Sequence, residues 1–397
     1  MTFLRRGFAT VAAVSLISVA APAASAAGTS AVAPGVTFGT FTETTAHGDV
    51  VGYLIEIHLE ARTRLDLLHP AVIAETERVS DMAAAQHAVA GVNGDFFDIS
   101  ERDHPGVAAT GSSVGPEITA GRGLKAAVPD GQTFGPFPPA GESTRDVFGV
   151  GVDGRARTGA VTLHGSVRTG RGTFELGGLN QYAIPVNGIG VFTHDWGAVS
   201  RARAACGTDT SRAAPCTSDT EEVVVHDGVV VSEAPSPGAG AIPAGTFVLL
   251  GRENGAERLK ALQPGDHVEI RTGLDSGQAP PFAFAVGGFR ILADGVPLSG
   301  LDSVTLAPRT AAGTGADGRT VYLVAVDGRS TASTGMTVAE LAGLLRSYGA
   351  RDAVNLDGGG STTVVVGGRG QRVTVRNVPS DGTERAVANG VGVFTAR

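Results

Sequence analysis

Lysine is almost missing from this chain of 397 residues: Lys125 and Lys260 are the only two, and 31 Lys+Arg stand against 39 Asp+Glu for a formal net charge of -8. An acidic surface repels nucleic acid, which excludes that partner class. Any anionic ligand needs a local arginine pocket, because screening confines charge attraction to roughly 8 to 10 Å. Aromatic residues are only 5% of the chain, and cysteines number 2. A multi-cysteine zinc site is therefore excluded, since two thiols without a nearby histidine pair fall short of a tetrahedral set. The 9 histidines show no H-E-x-x-H spacing, so zinc hydrolysis finds no motif here. Beyond the first 26 residues no stretch offers the roughly 18 uninterrupted apolar residues of a spanning helix.

Those first residues read "MTFLRRGFATVAAVSLISVAAPAASA". Arg5 and Arg6, an apolar stretch and then Ala24-Ser25-Ala26 follow the order of a secretory signal peptide, and the expected cleavage after Ala26 makes the mature protein secreted. In an exported protein Cys206 and Cys216, in "CGTDTSRAAPC", are expected to form a disulfide pinning one loop, with about 2 to 3 kcal/mol of stabilisation. The 58 glycines and 42% hydrophobic residues describe a chain that buries a core and turns often.

The order of elements predicts an α+β fold, rich in antiparallel and mixed sheet with few helices. A strand segment over 27–84 packs on a principal domain over 85–397. Leu54, Ile55, Ile57 and Leu59 are spaced as strand residues with one buried face, and a short helix is expected over 76–88. "HAVAGVNGDFFD" reads as a strand ending in an Asn-Gly reversal. Residues 100–220 are rich in loop and give the weakest signal. Asp-Gly pairs at Asp153, Asp227, Asp294 and Asp317, each between apolar runs, predict antiparallel hairpins. "GVGVDG" (149–154) fits G-x-G-x-x-G but precedes no helix, which argues against nucleotide binding.

One strand-helix-strand unit is expected over 321–357. "VYLVAVDG" leads to "MTVAELAGLLRSYGA", where Thr337 and Glu340 form a capping box and Gly349 ends the helix, followed by the apolar "DAVNLDGGG". If the two strands are parallel neighbours, Asp327 and Asp357 leave the sheet on one edge. Three consecutive glycines, Gly358, Gly359 and Gly360, exceed what a turn needs, so the pattern points to close backbone approach to a ligand, with amides turned toward an anion or a hydroxyl.

Five stretches together resemble the phosphodiester glycosidase family: "GVNGDFFD" (91–98), "AVGGFRILADG" (285–295), "APRTAAGTGADGRTVYLVAVDGR" (307–329), "GMTVAELAGLLRSYGARDAVNLDGGGSTT" (335–363) and "ERAVANGVGVF" (384–394). The chain departs from the family pattern at Arg290, where a proline is usual after the double glycine, and after Ser361, where serine and methionine are common. The resemblance implies hydrolysis between an anomeric carbon and a phosphate oxygen, on a glycan or sugar-phosphate substrate outside the cell or in the cell wall.

Such chemistry needs negative charge facing C1, while the phosphate leaves readily, its second pKa being about 6. On that basis Asp357 is the candidate C1-side carboxylate, Glu384 a second carboxylate and Arg309 the phosphate clamp. Asp327 and Arg329 are candidates for sugar hydroxyls, with Asn93 and Asp95 closing the pocket. Gly288, Thr310, Gly358, Gly359, Gly360, Ser361 and Asn389 complete the candidate binding set. If Asn389 is buried, its amide must be satisfied by a substrate or by the Asp357 loop. Each also has a plain structural explanation, Glu384 as an exposed partner of Arg385 and Asn93 as a turn residue. Ser361 lies outside a G-x-S-x-G elbow, so a serine nucleophile is not expected. No cofactor is required, although a divalent cation such as calcium or magnesium at Asp95, Asp327 or Asp357 stays open. Two rivals stand beside this reading, a metal-dependent phosphodiesterase cleaving P–O and a non-catalytic carbohydrate-binding protein. The sequence leaves oligomeric state unknown.

Overall fold

In the computed structural model, residues 27–60, 62–367 and 370–396 are described. The expected signal segment lies outside them. Short strands dominate, with three α-helices among the described residues. An eight-stranded sheet forms the centre, in spatial order Ala27–Ala33, Val36–Thr45, Gly48–His58, Thr320–Val326, Arg309–Thr314, Asp352–Leu356, Phe289–Ala293, Val296–Pro297. All its neighbours are antiparallel. The strands before residue 60 thus pair directly with a strand after residue 319.

Period-two alternation explains the layering. In Thr320–Val326, Val321, Leu323 and Ala325 face a large core shared with a second sheet, while Tyr322, Val324 and Val326 face the helix Val338–Ser347. That second sheet runs in the order Thr374–Val375, Val364–Val366, Ala90–Asn93, Gly390–Thr395, Thr63–Leu68. Three further sheets, of five, three and five strands, are built from residues 117–287, and a two-stranded one pairs Glu77–Arg78 with Ala386–Val387. The one parallel pair among the described residues joins Gly178–Leu179 to Ile189–Phe192. Cys206 and Cys216 are bonded to each other.

The Asp-Gly hairpins form at all four expected places. At Asp227-Gly228 both residues have positive φ, 48° and 79°, the turn that continues the twist of the flanking strands. Asn93-Gly94 does not turn in this way. Neither residue has positive φ, and Gly94 N–H donates to Asn389 O across to another strand. The carboxamide of Asn93 is drawn instead into a buried network described below. The short helix is confined to Val79–Ala85.

The strands Thr320–Val326 and Asp352–Leu356 run parallel to each other, yet they are not neighbours. Arg309–Thr314 lies between them, antiparallel to both. Asp327 and Asp357 still leave from the same edge of the sheet, one interstrand gap further apart than a direct crossover would place them. The helix Val338–Ser347 that joins the two strands starts with the expected capping box: Thr337 Oγ1 accepts from Glu340 N–H at 3.2 Å, and Glu340 accepts from Thr337 N–H at 2.9 Å. Replacing Thr337 by Ala removes one half of that exchange, so Thr337→Ala is expected to lose about 1 kcal/mol. Chemical unfolding with a lowered midpoint and an unchanged slope is the check.

Candidate functional site

The site grows from a knot of backbone and amide groups at the ends of four strands. Asn93 is fully buried. Its Oδ1 accepts from Thr310 Oγ1 at 2.7 Å and from Thr363 N–H at 3.0 Å, and its Nδ2 donates to Asp357 O at 2.7 Å. Asp357 N–H in turn donates to Gly94 O at 2.9 Å. One carboxamide therefore fixes where the strand Asp352–Leu356 ends and where the carboxylate after it points.

Asp357 is only partly buried, and its carboxyl group accepts from Gly358 N–H at 2.9 Å. Burial pushes its pKa up to about 6, against the opposing pull of a hydrogen bond from Ser361, the Arg385 charge and the Gly358 amide. Ser361 is wholly buried and accepts from Arg385 Nη1 at 3.2 Å. Arg385 also pairs with Asp381, at the tip of the same segment. A carboxylate, a hydroxyl and a guanidinium thus form one chain beside the glycines.

Each glycine of the triplet has its own steric reason. A Cβ on Gly358 would lie 2.6 Å from Pro308 O, Gly359 has φ of +58°, and a Cβ on Gly360 would collide with the Arg385 guanidinium and the Asp381 carboxylate. Arg329, itself at φ of 58°, lays its guanidinium 3.2 Å from the Cβ position of Gly359. The loop is therefore flanked by two guanidinium groups. Its first two amides are spent inside the protein, on Asp357 Oδ1 and Pro308 O. The glycines make room for arginines; the Gly358 and Gly359 amides do not face a ligand.

Several other candidates are placed elsewhere. Both carboxylate oxygens of Glu384 accept from Ser80, from its N–H at 2.8 Å and its Oγ at 2.5 Å, at the start of the helix Val79–Ala85. Arg309 is buried and committed: Nε donates to Met336 O at 2.9 Å, Nη2 to Thr305 O at 2.6 Å, and Asp302 lies 3.8 Å away. Burial lowers its pKa, against the pull of Asp302 and helped by the nearby Arg329 charge. Gly288 packs its backbone against Leu356, a Cβ there falling 3.0 Å from that side chain.

Asp327 is buried at the end of its strand, where Tyr53 donates to Oδ2 at 2.9 Å and Val378 N–H donates at 3.1 Å. Its pKa is raised by burial. Neighbouring Asn377 bonds Val364 N–H and Thr362 O, both at 2.9 Å, so Asp327 steadies the segment that leads to Asp381 and Arg385.

Asn389 satisfies its amide neither through the Asp357 loop nor through open space. Its Oδ1 accepts from Asp95 N–H and its Nδ2 donates to Glu117, both at 2.8 Å. Asp95 lies in the same buried cluster, accepting from Phe96 N–H at 2.8 Å and Gly115 N–H at 2.5 Å, with its pKa raised by burial to about 7. Lys125, completely buried, donates to the carbonyls of Val114, Gly115 and Ala126 at 2.8 to 3.2 Å. Burial brings its pKa down to about 8. This cluster welds the sheets together behind the site.

Among the described residues Asp95, Asp327 and Asp357 do not gather as a ligand set. The group close enough to share an ion is His104 with Cys206 and Cys216, whose sulfurs are joined. Arg290, at the departure from the family pattern, forms a paired contact with Glu142, at 2.6 and 2.8 Å.

Reading by sequence missed Arg385. The signal was present in "ERAV": adjacent residues leading into the strand Ala386–Val387 point to opposite sides, so only one of Glu384 and Arg385 could face the glycines.

The fold is shared with solved bacterial structures. A hypothetical protein from Synechocystis superposes with a TM-score of 0.69 over 91% of this chain at 20% identity, and this chain spans 62% of its length. A Burkholderia pseudomallei protein described as exported gives 0.66 at 24% identity, over 87% of this chain and 74% of that one. The catalytic domain of zebrafish N-acetylglucosamine-1-phosphodiester alpha-N-acetylglucosaminidase gives 0.46 at 17% identity, over 95% and 87%. An uncharacterized SPbeta prophage-derived protein of Bacillus subtilis is 43% identical over 82 residues, covering 21% of this chain and 12% of that protein. Residues 219–394 match the phosphodiester glycosidase family, and this carboxy-terminal part belongs to it. The matched stretch contains Asp357, the glycine triplet, Arg329 and Arg385; Asn93 and Asp95 lie before it.

Because the Arg385 charge and its link through Ser361 hold the Asp357 pKa down, Arg385→Gln should move it above about 6. Carboxyl NMR titration reads this directly, and an unchanged midpoint would show the guanidinium is not coupled to Asp357. Asn93→Ala leaves Thr310, Thr363 N–H and Asp357 O without their partner and should cost roughly 3 kcal/mol or more in unfolding free energy.

Proposed function

We propose that the protein is a secreted hydrolase that cleaves glycosyl phosphodiesters, or related glycosidic links of extracellular or cell-wall glycans, at the anomeric carbon. The observation that carries the reading is a partly exposed carboxylate, Asp357, seated beside a loop flanked by the guanidiniums of Arg329 and Arg385. The family match over 219–394 supports the same chemistry.

In this mechanism the substrate phosphate rests against Arg329 and Arg385, and C1 of the sugar faces Asp357. As the C1–O bond lengthens, positive charge develops on the ring and the ionised carboxylate stabilises it, either by bonding to C1 or by drawing a proton from the attacking water. The electron pair of the broken bond leaves on the phosphate oxygen. That monoester needs no proton to depart, since its second pKa is about 6, whereas its charge must be held. A second carboxylate is then dispensable as a general acid, which agrees with Glu384 being turned to Ser80. Arg309 contributes from behind, by holding the Thr305 and Met336 backbone that borders the loop.

Asp357→Asn is expected to lower kcat/KM by about 1000-fold or more. Wild-type activity in that variant would remove Asp357 from the chemistry. Turnover in ¹⁸O-water places the label in the released sugar for C–O cleavage; label in the phosphate would favour a phosphodiesterase, and glycan retention without any released sugar would favour a binding protein.

The pH dependence has a defined sign. Activity requiring ionised Asp357 should fall as pH drops through about 6. Stability moves the other way, because a carboxyl group with a raised pKa favours the fold fully below its ordinary value of 3.8 and loses that contribution as pH rises through about 6. Asp357→Asn should therefore melt higher than wild type at pH 8, with the difference shrinking at pH 4.

A further inference from the structure

At the opposite end of the strand Thr320–Val326 from Asp327 lies a cleft of ≈ 610 Å³, bounded by Arg62, Arg64, Arg319, His87 and Phe394 among others. A second cleft of ≈ 660 Å³ adjoins it through the shared residues His87 and Thr395 and carries Arg372. The strand has seven residues, and at roughly 3.3 Å per residue it separates this groove from the candidate site by about 20 Å.

We infer that this groove is an exosite for a phosphate-bearing polymer, a chain of repeating anions that runs past the cationic side chains. Three observations support it. Arg62, Arg319 and Arg372 are exposed, and their guanidiniums have no hydrogen bond or ion pair among the described residues. Arg64 is held in place by Asp66 at 2.7 Å and by stacking 4.5 Å over the Phe394 ring, which gives the groove a fixed wall. The carboxylates at its rim are Glu60, whose side chain has no partner among the described residues, and Asp153, which lies 3.4 Å from Arg157. In a chain of net charge -8 this is a local reversal of sign, the condition an anionic ligand requires here.

A guanidinium meets two oxygens of a phosphate or of a carboxylate with parallel N–H donors; phosphate is favoured because the anions of a polyphosphate backbone repeat more closely along the chain than those of a polymer of sugar carboxylates, so that each arginine along the groove meets a charge. The proposal does not rest on the catalytic reading. A protein inactive on every glycosyl phosphodiester could still hold such a polymer here.

The test is binding of labelled linear inorganic polyphosphate to the full chain at low ionic strength, followed by fluorescence anisotropy. The double substitution Arg62→Glu with Arg319→Glu is expected to weaken binding by at least about tenfold, while Arg329→Glu leaves it unchanged. Both positions are exposed, so the fold is expected to tolerate the change, which an unaltered melting temperature checks. Three results would overturn the proposal: no binding by the wild type, equal binding by the double variant, or loss of binding in Arg329→Glu, which would move the polymer to the glycine loop. Polygalacturonate, a carboxylate polymer, is expected to bind more weakly; equal affinity would overturn the assignment to phosphate.

Discussion

A single buried carboxamide decides the arrangement on which everything else rests. Asn93 has one oxygen and one nitrogen, and it spends them on three segments that are more than two hundred residues away in sequence. An apolar side chain could fill the same volume, but it would leave Thr310, the Thr363 amide and the Asp357 carbonyl unpaired in a buried site. The outcome is directional. Whatever Asp357 does, it does at an angle set by an amide on a different strand.

Around that point the structure separates groups that hold from groups left to act. Asn389, Asp95 and Glu384 have their side-chain polar atoms matched inside the protein, and Arg309 spends Nε and Nη2 on backbone carbonyls. Arg329 has no such match among the described residues, and Asp357 keeps contact with solvent while its carboxyl pKa is pulled in opposite directions by burial and by Arg385. The contrast distinguishes candidates that composition alone cannot, because a residue type says nothing about whether its donors are already taken.

Much of the fold was legible in the sequence. Alternating apolar residues marked the strands, four Asp-Gly pairs marked the hairpins, and Thr337 with Glu340 marked a helix start, all of them interactions between residues close in sequence. The site was legible in its centre, the glycine triplet after Asp357, and misleading at its edges. Asn93-Gly94 carries the signature of a tight reversal but belongs to a network assembled from distant strands. Glu384 was favoured over Arg385 because carboxylates suit the chemistry, although strand alternation decides between them. The insertion of Arg309–Thr314 between two parallel strands depends on long-range pairing, which no local pattern encodes.

The scarcity of lysine acquires a practical meaning once Lys125 is seen enclosed by three carbonyls. Only Lys260 presents an ammonium to solvent, beside Asp219 and Glu257 at the end of a short helix. Amine-reactive dyes and crosslinkers would thus find one lysine target in the folded molecule beside the chain's α-amino group, so every probe carried by a lysine sits at the same place on the surface.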